Sequence, residues 1–217
     1  MRIQSLELLT DRLLELREFY CETLGFGVLE STTQILQLRA GESELSFRKS
    51  DGFCGQYHFA FNIGRPMVPS AERFLTSRGI PLIRDSNDTA FFRFDFWDAD
   101  AVYFNDPSGN IAEFIGRDES VGSDFSADSI QNIGEIGIAC KDPVKLATTL
   151  SENFGLEGYR KTSPEFFPLG TATGLFIIVP AGRIWFPDTG IQAEELPVKA
   201  KIANSSGRIH EIEFPWM

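Results

Sequence analysis

The sequence predicts an α+β fold in two related halves, and three observations predict it. Segments of helical and strand period follow one another as strand, helix and then several strands, an order that repeats; this is neither the βαβα alternation of a doubly wound sheet nor a plain sandwich. Leu8-Leu9-Thr10-Asp11, a helix and Leu24-Gly25-Phe26 are echoed by Ala139-Cys140-Lys141-Asp142, a helix and Phe154-Gly155-Leu156. Asp106-Pro107-Ser108-Gly109-Asn110, a tight turn with Glu113 four positions past its glycine, is echoed by Asn204-Ser205-Ser206-Gly207-Arg208 with Glu211. Self-similarity of this kind marks a repeated supersecondary unit.

In chain order, Ile3 to Leu9 reads as a strand. Leu13, Leu16, Tyr20 and Leu24 recur at spacings of three and four, so Asp11 to Leu24 reads as an amphipathic helix begun by Thr10 or Asp11 and stopped at Gly25. Strand signals follow at 35–38, 44–48 and 57–63, then a helix from Pro69 to Arg78 with Ser70 as cap. The run 90–97 places Phe92, Phe94 and Phe96 on one parity and Arg93 and Asp95 on the other, which is a strand with one buried face. Further strands are expected at 102–104 and 111–115. Residues 119–129 are small and acidic, and are expected to be a linker. The second half opens with a strand at 133–140 and a helix from Pro143 to Asn153, capped by Asp142 with proline at its first position and Gly155 past its end. A strand at 176–179 and one after the 204–208 turn complete it. The resulting division is 1–118, a linker at 119–129, and a shortened second module at 130–217.

Composition excludes several function classes. The chain has 217 residues, with 20 Lys+Arg against 31 Asp+Glu for a formal charge of −11, a field that repels nucleic acid and anionic membranes. No run approaches the roughly 18 to 20 apolar residues of a membrane span, and Glu7 interrupts any signal-peptide core, so the chain is expected to be soluble and cytoplasmic. Cys21, Cys54 and Cys140 are odd in number and form no CxxC pair, which suits buried thiols in a reducing compartment. Phenylalanine is abundant at 20 residues, implying a large aromatic interior or a pocket walled by rings. There is no GxGxxG, Walker loop, GxSxG or HExxH, which removes nucleotide-binding, serine-hydrolase and zinc-protease readings.

Phe19-Tyr20 followed by Leu24-Gly25-Phe26, the strand Tyr57-His58-Phe59-Ala60-Phe61-Asn62-Ile63, and Asp106-Pro107-Ser108-Gly109-Asn110 with Glu113 together resemble the vicinal oxygen chelate superfamily. That superfamily includes glyoxalase I, extradiol dioxygenases, fosfomycin resistance enzymes and bleomycin-binding proteins. The resemblance spans residues 3 to 116 and, more loosely, 131 to 213. It implies paired βαβββ motifs closing a half-open β cup, with one complete cup in 1–118 and a truncated second module beside it.

The resemblance also implies a ligand set for a divalent ion, Zn²⁺, Ni²⁺, Co²⁺ or Mn²⁺. His58 fits the ligand that opens the second motif, Glu113 the ligand on the last strand, and Glu44 a further carboxylate on the fourth strand. On the first strand, counting back from Asp11 selects Gln4 and counting back from Phe19-Tyr20 selects Ser5; parity favours Ser5, and Glu7 shares that face. Glu113 would also shuttle a proton. In the second half Glu135 and Glu211 take the opening and closing positions. There Arg183 could clamp an anion and Trp185 stack on it, while Phe92 and Phe94 are either sheet core or ring-stacking walls. With only His58 and His210 in the chain, an Fe²⁺ dioxygenase with two His ligands is disfavoured.

The function expected is a glyoxalase-like metal-dependent lyase or isomerase on a small oxygenated substrate. The rivals are a non-catalytic protein that sequesters a planar ligand and a metal-free structural module. Acidic charge does not bar a homodimer.

Overall fold

The computed structural model describes residues 1–118, 124–187 and 189–215. Three times the chain runs from a strand through a helix into further strands. The first passage is β1 (Arg2–Thr10), α1 (Leu13–Arg17), β2 (Gly27–Ser31), β3 (Ile35–Ala40) and β4 (Ser43–Lys49). The second is β5 (His58–Gly64), α2 (Val68–Ser77), β6 (Phe91–Phe94), β7 (Ala99–Asn105) and β8 (Ile111–Asp118). The third is β9 (Asn132–Cys140), α3 (Pro143–Phe154), β10 (Phe167–Thr171) and β11 (Gly174–Pro180), after which come β12 (Val198–Ala203) and β13 (Ile209–Phe214). In every passage the opening strand pairs in parallel with the closing one, β1 with β4, β5 with β8 and β9 with β11. Such a pairing needs a crossover, and the helix supplies it.

The strands form two sheets, ordered β13-β12-β1-β4-β3-β2 and β10-β11-β9-β5-β8-β7-β6. Each takes strands from both sides of the 119–129 stretch, through β1 against β12 and β5 against β9. The cup expected from residues 1–118 alone is therefore not formed: β1–β4 and β5–β8 lie in different sheets, and each is completed from the second half. Residues 119–123 of the expected linker lie outside the described residues. The rest is not a bare tether, because Phe125 is buried with its ring 4.9 Å from Phe74 and 4.7 Å from Phe114.

Local chemistry explains the helices. Leu13, Leu16 and Tyr20 are buried on one face of α1 and the π-helical turn Glu18–Thr23 that continues it, and the chain reverses at Gly25 with φ +83°. Asp142 caps α3 by accepting from the Lys145 N–H at 3.0 Å, and Gly155 ends it at φ +66°. The start of α2 has no side-chain cap; Ser70 is instead buried and donates to the Met67 carbonyl.

Strand parity sorts the seven-stranded sheet into two faces. Phe59, Phe61, Ala112 and Phe114 point into the main core between the sheets, while Ala60, Ile111, Ile115 and Ile177 face the other way, under the segment that carries Trp185. His58 and Glu113 share the parity of that second face. The phenylalanine abundance is thus mostly core. The expected 90–97 strand stops at Phe94, and Phe96 stands in a turn, 50% exposed, rather than continuing the buried stripe.

The Asp106–Asn110 turn sets the register of the two central strands. Asp106 accepts four hydrogen bonds, from the Ser108 and Asn110 N–H groups, the Asn110 amide and the Tyr20 hydroxyl, at 2.8 to 3.1 Å. Asn110 in turn accepts from the Tyr57 N–H at 2.8 Å, so β5 and β8 begin side by side and His58 stands directly opposite Ile111. Asp106→Ala would leave these donors without an acceptor and is expected to lower stability by about 2 to 4 kcal/mol. Denaturant unfolding measures it; a loss under about 0.5 kcal/mol would contradict this role.

Candidate metal centre

Three buried side chains meet on the covered face of the seven-stranded sheet. Glu113 on β8 and Glu135 on β9 both lie directly across from Ala60 on β5, with His58 two residues before it on the same face. Ala60 is small enough to let the carboxylates lean over it toward the imidazole. His58 Nε2 lies 3.7 Å from Glu113 Oε2 and 3.8 Å from Glu135 Oε2, and one donor atom from each of the three residues falls within 4.8 Å of the others.

Glu135 reaches this face through an irregularity in pairing. Ala60 pairs with Glu135 but Phe61 pairs with Ile133, so Gly134 is an extra residue in β9. A regular strand would put Ile133 and Glu135 on one face; the bulge sends Ile133 to the core and Glu135 to the cluster. Glycine is required there, because a Cβ on residue 134 would sit 2.3 Å from Asn62 Oδ1.

Neighbouring groups orient the three side chains. His58 Nδ1 lies 3.3 Å from the Ile111 carbonyl, which orients the ring so that Nε2 faces the two carboxylates. Arg117 holds Oε1 of Glu135 in a buried ion pair and donates to Asn62 Oδ1 at 3.0 Å, leaving Glu135 Oε2 to the cluster. Glu113 Oε1 is buried with no hydrogen-bond partner among the described residues. An orphaned buried carboxylate oxygen beside a second carboxylate and an oriented imidazole fits a divalent cation.

The electrostatics follow from this crowding. Burial, then the charge of Glu135, pushes the Glu113 carboxyl up to about 8. Glu135 goes the other way: burial opposes its charge, but Arg117 and His58 outweigh that and hold it below the ordinary carboxylate range. Burial likewise opposes charge on His58, yet the hydrogen bond to Glu135 and the two carboxylates raise it above the usual imidazole value. Tyr103, the cross-strand partner of Glu113, is kept protonated by burial and by the same two carboxylates.

The cluster forms the floor of a cavity of about 220 Å³. Phe94, Trp97, Phe166 and Phe186 supply ring walls and Arg183 a cation. Trp185 lies with its ring 5.1 Å from the His58 ring and fits over Gly137, where a Cβ would come within 2.5 Å of the indole. The segment bearing Trp185 is pinned by Trp185 N–H to Ile191 O at 3.0 Å and Ala193 N–H to Arg183 O at 2.7 Å.

Of the residues the sequence nominates, His58 and Glu113 converge, and Phe94, Arg183 and Trp185 line the cavity over them. Phe92 stands behind the wall, packed on Tyr103 and Phe186 at 5.6 and 4.9 Å. Gln4 and Glu44 do not join the cluster. They lie on β1 and β4 of the six-stranded sheet, where Glu44 is exposed and accepts from Gln37 at 2.8 Å. The rival first-strand positions Ser5 and Glu7 are on that same sheet, with Glu7 paired to Arg48 at 2.6 Å. Glu135 and Glu211, expected to share a second pocket, are separated: Glu211 is on the six-stranded sheet, 4.0 Å from Lys201. Arg117, Tyr103 and Gly137 were not singled out by sequence; the signal available for Arg117 and Tyr103 was strand parity with Glu113.

No protein-family model and no curated protein matches the chain. Solved structures do. A protein from Bacillus subtilis subsp. subtilis str. 168 that bears a provisional dioxygenase name superposes with a TM-score of 0.67 over 98% of this chain and 84% of its own, at 15% identity. Lactoylglutathione lyase from Agrobacterium tumefaciens aligns with 52% of this chain and 92% of its own at 20% identity and a TM-score of 0.45. A glyoxalase/bleomycin resistance protein/dioxygenase from Alicyclobacillus acidocaldarius aligns with 52% and 89% at 21% identity and 0.44. The full-length superposition shows that the chain shares the fold of the Bacillus subtilis protein, with strand-helix-strand motifs completing two curled sheets. Fold does not assign a reaction. No helix among the described residues is long and apolar enough to cross a membrane.

Proposed function

We propose that this protein is a metal-dependent enzyme of the glyoxalase-like lyase or isomerase type, acting on a small oxygenated molecule, with His58, Glu113 and Glu135 as the ligands of one divalent ion. The observation that carries the reading is the buried convergence of an oriented imidazole and two carboxylates, one with an unpartnered oxygen. One nitrogen and two oxygen donors suit Zn²⁺, Ni²⁺, Co²⁺ or Mn²⁺ and leave coordination positions for substrate. Bound there, the ion would polarise neighbouring substrate oxygens and stabilise the oxyanion or enediolate that forms. Glu113, whose carboxyl is raised by burial and by Glu135 in the ion-free protein, stands where it could take and return a proton beside the ion. Arg117 holds Glu135 to a single free oxygen, and Trp185 with the ring walls gives the cluster a largely apolar surround.

A second reading has a specific observation behind it. Arg117 and a protonated His58 balance the two carboxylates, so the cluster can be neutral without an ion, and the aromatic cavity would then serve a non-catalytic binding protein. Metal analysis separates the two. The enzyme reading expects about one ion per chain after equilibration with Zn²⁺, Ni²⁺, Co²⁺ or Mn²⁺; a chain that takes up none of them is the binding protein.

The titration of Glu113 gives the reading a pH signature. Because its folded pKa is raised, the ion-free protein is most favoured below the ordinary carboxylate value and loses that stability as pH rises through about 8. A cation that takes the carboxylate offsets this loss and competes with the proton. The melting temperature should therefore gain more from added metal at pH 8 than at pH 6. A gain independent of pH would remove Glu113 from the ligand set.

A further inference from the structure

We propose that the cavity takes a planar, one-ring acid whose anionic group pairs with Arg183 while its ring lies among the aromatic walls. This deepens the reading above and rests on it only for what happens at the reacting end of the molecule.

Arg183 is the arginine that lines this cavity, and the opposite charge that acts on it is that of Glu165. Arg117 is paired with Glu135, Arg65 with Asp98 and Asp100, and Arg48 with Glu7, whereas none of the ion pairs among the described residues includes Arg183. Its side chain is half-buried and lines the cavity. One Nη1 hydrogen bond, to the Glu165 carbonyl, and a position 5.1 Å over the Phe166 ring hold the guanidinium in place. Among the described residues that is its one side-chain hydrogen bond, and a guanidinium fork matches a carboxylate in two parallel hydrogen bonds. In a chain of net charge −11, a half-buried, anchored arginine that forms no ion pair among the described residues and lines a cavity is a receptor for an anion.

The remaining walls set the rest of the molecule. Phe94, Phe166, Trp185 and Phe186 present ring faces and edges, which favour a flat unsaturated ring over a puckered one. A volume of about 220 Å³ leaves room for one substituted ring, since a cavity of about 150 Å³ holds benzene. Glu113 and Glu135 on the floor disfavour a second anionic group near them unless a cation is bound, so the charge of the ligand belongs at the Arg183 side.

Calorimetric titration with benzoate, its neutral isostere benzamide, and cyclohexanecarboxylate tests the proposal, on the protein as purified and after chelation. Benzoate should bind at least about tenfold tighter than benzamide and tighter than cyclohexanecarboxylate, with and without chelator. Arg183→Gln should abolish the benzoate preference while leaving benzamide affinity and metal content unchanged. Equal affinities for benzoate and benzamide, a preference that survives in Arg183→Gln, or one that vanishes on chelation would overturn the anionic assignment; equal binding of the cyclohexane acid would overturn the planar one. A protein that holds no metal yet keeps an Arg183-dependent preference leaves this proposal standing and removes the metal centre. Retained metal in Arg183→Gln without any benzoate preference in the parent protein does the reverse.

Discussion

Replacing His58 with alanine is expected to lower metal affinity by more than about a hundredfold, so that the variant emerges from dialysis empty. The expectation rests on ligand count. Losing a residue that only orients a ligand costs about 10- to 100-fold in affinity, and His58 supplies the one nitrogen of a three-residue set. Its removal also leaves Glu113 and Glu135 facing each other without the imidazole, which drives a proton rather than an ion onto Glu113. Glu113→Gln makes a cleaner companion than Glu135→Gln. The latter leaves Arg117 buried without its carboxylate, a change that costs about 3 to 5 kcal/mol and confuses metal loss with unfolding. Metal content by elemental analysis and affinity by chelator competition are the measurements. His58→Ala retaining the parent's metal would show that any ion bound sits elsewhere.

A fragment ending at Asp118 is expected not to fold. It would keep β1–β4 and β5–β8 but lose β12 from the free edge of β1 and β9 from that of β5. Ile133, Ile136, Phe176 and Ile202, all buried in the main core, would go with them. Each is worth about 2 kcal/mol or more when fully buried, against a total stability of about 5 to 15 kcal/mol for a whole protein. Two open edges flanked by apolar faces would instead invite aggregation. Amide dispersion in an NMR spectrum and cooperative unfolding are the tests, with co-expression of residues 119–217 expected to rescue solubility. A fragment that melts cooperatively by itself would mean that residues 1–118 are a self-sufficient module.

The same pairings decide what could be read from the sequence. Local patterns were legible: the three-and-four spacing of Leu13, Leu16 and Tyr20, the proline and glycine that bound α3, and the turn at Asp106 that aligns β5 with β8. His58 and Glu113 lie far apart in the chain and are nominated by the family resemblance; the Asp106 turn then sets their two strands side by side. β12 carries a period-two signal, the alternation Val198-Lys199-Ala200-Lys201-Ile202, whereas β2 is exposed along its length and carries no burial pattern. The partner of each motif is a long-range fact with no local trace. Gln4 and Glu44 followed from letting the first two motifs share a cup, and β1 and β4 are in the other sheet. The sequence places Glu135 in a separate pocket, since neither the β5–β9 pairing nor the bulge at Gly134 that turns its side chain can be read from strand parity.

In the proposed centre, side chains from β5, β8 and β9, and so from both halves of the chain, hold one ion. Anomalous diffraction from a crystal equilibrated with Co²⁺ tests this most directly. The expected result is a single strong peak about 2.0 to 2.2 Å from His58 Nε2 and from one oxygen each of Glu113 and Glu135. A peak on the six-stranded sheet near Glu44, or no peak at all with the three side chains still in contact, would contradict it.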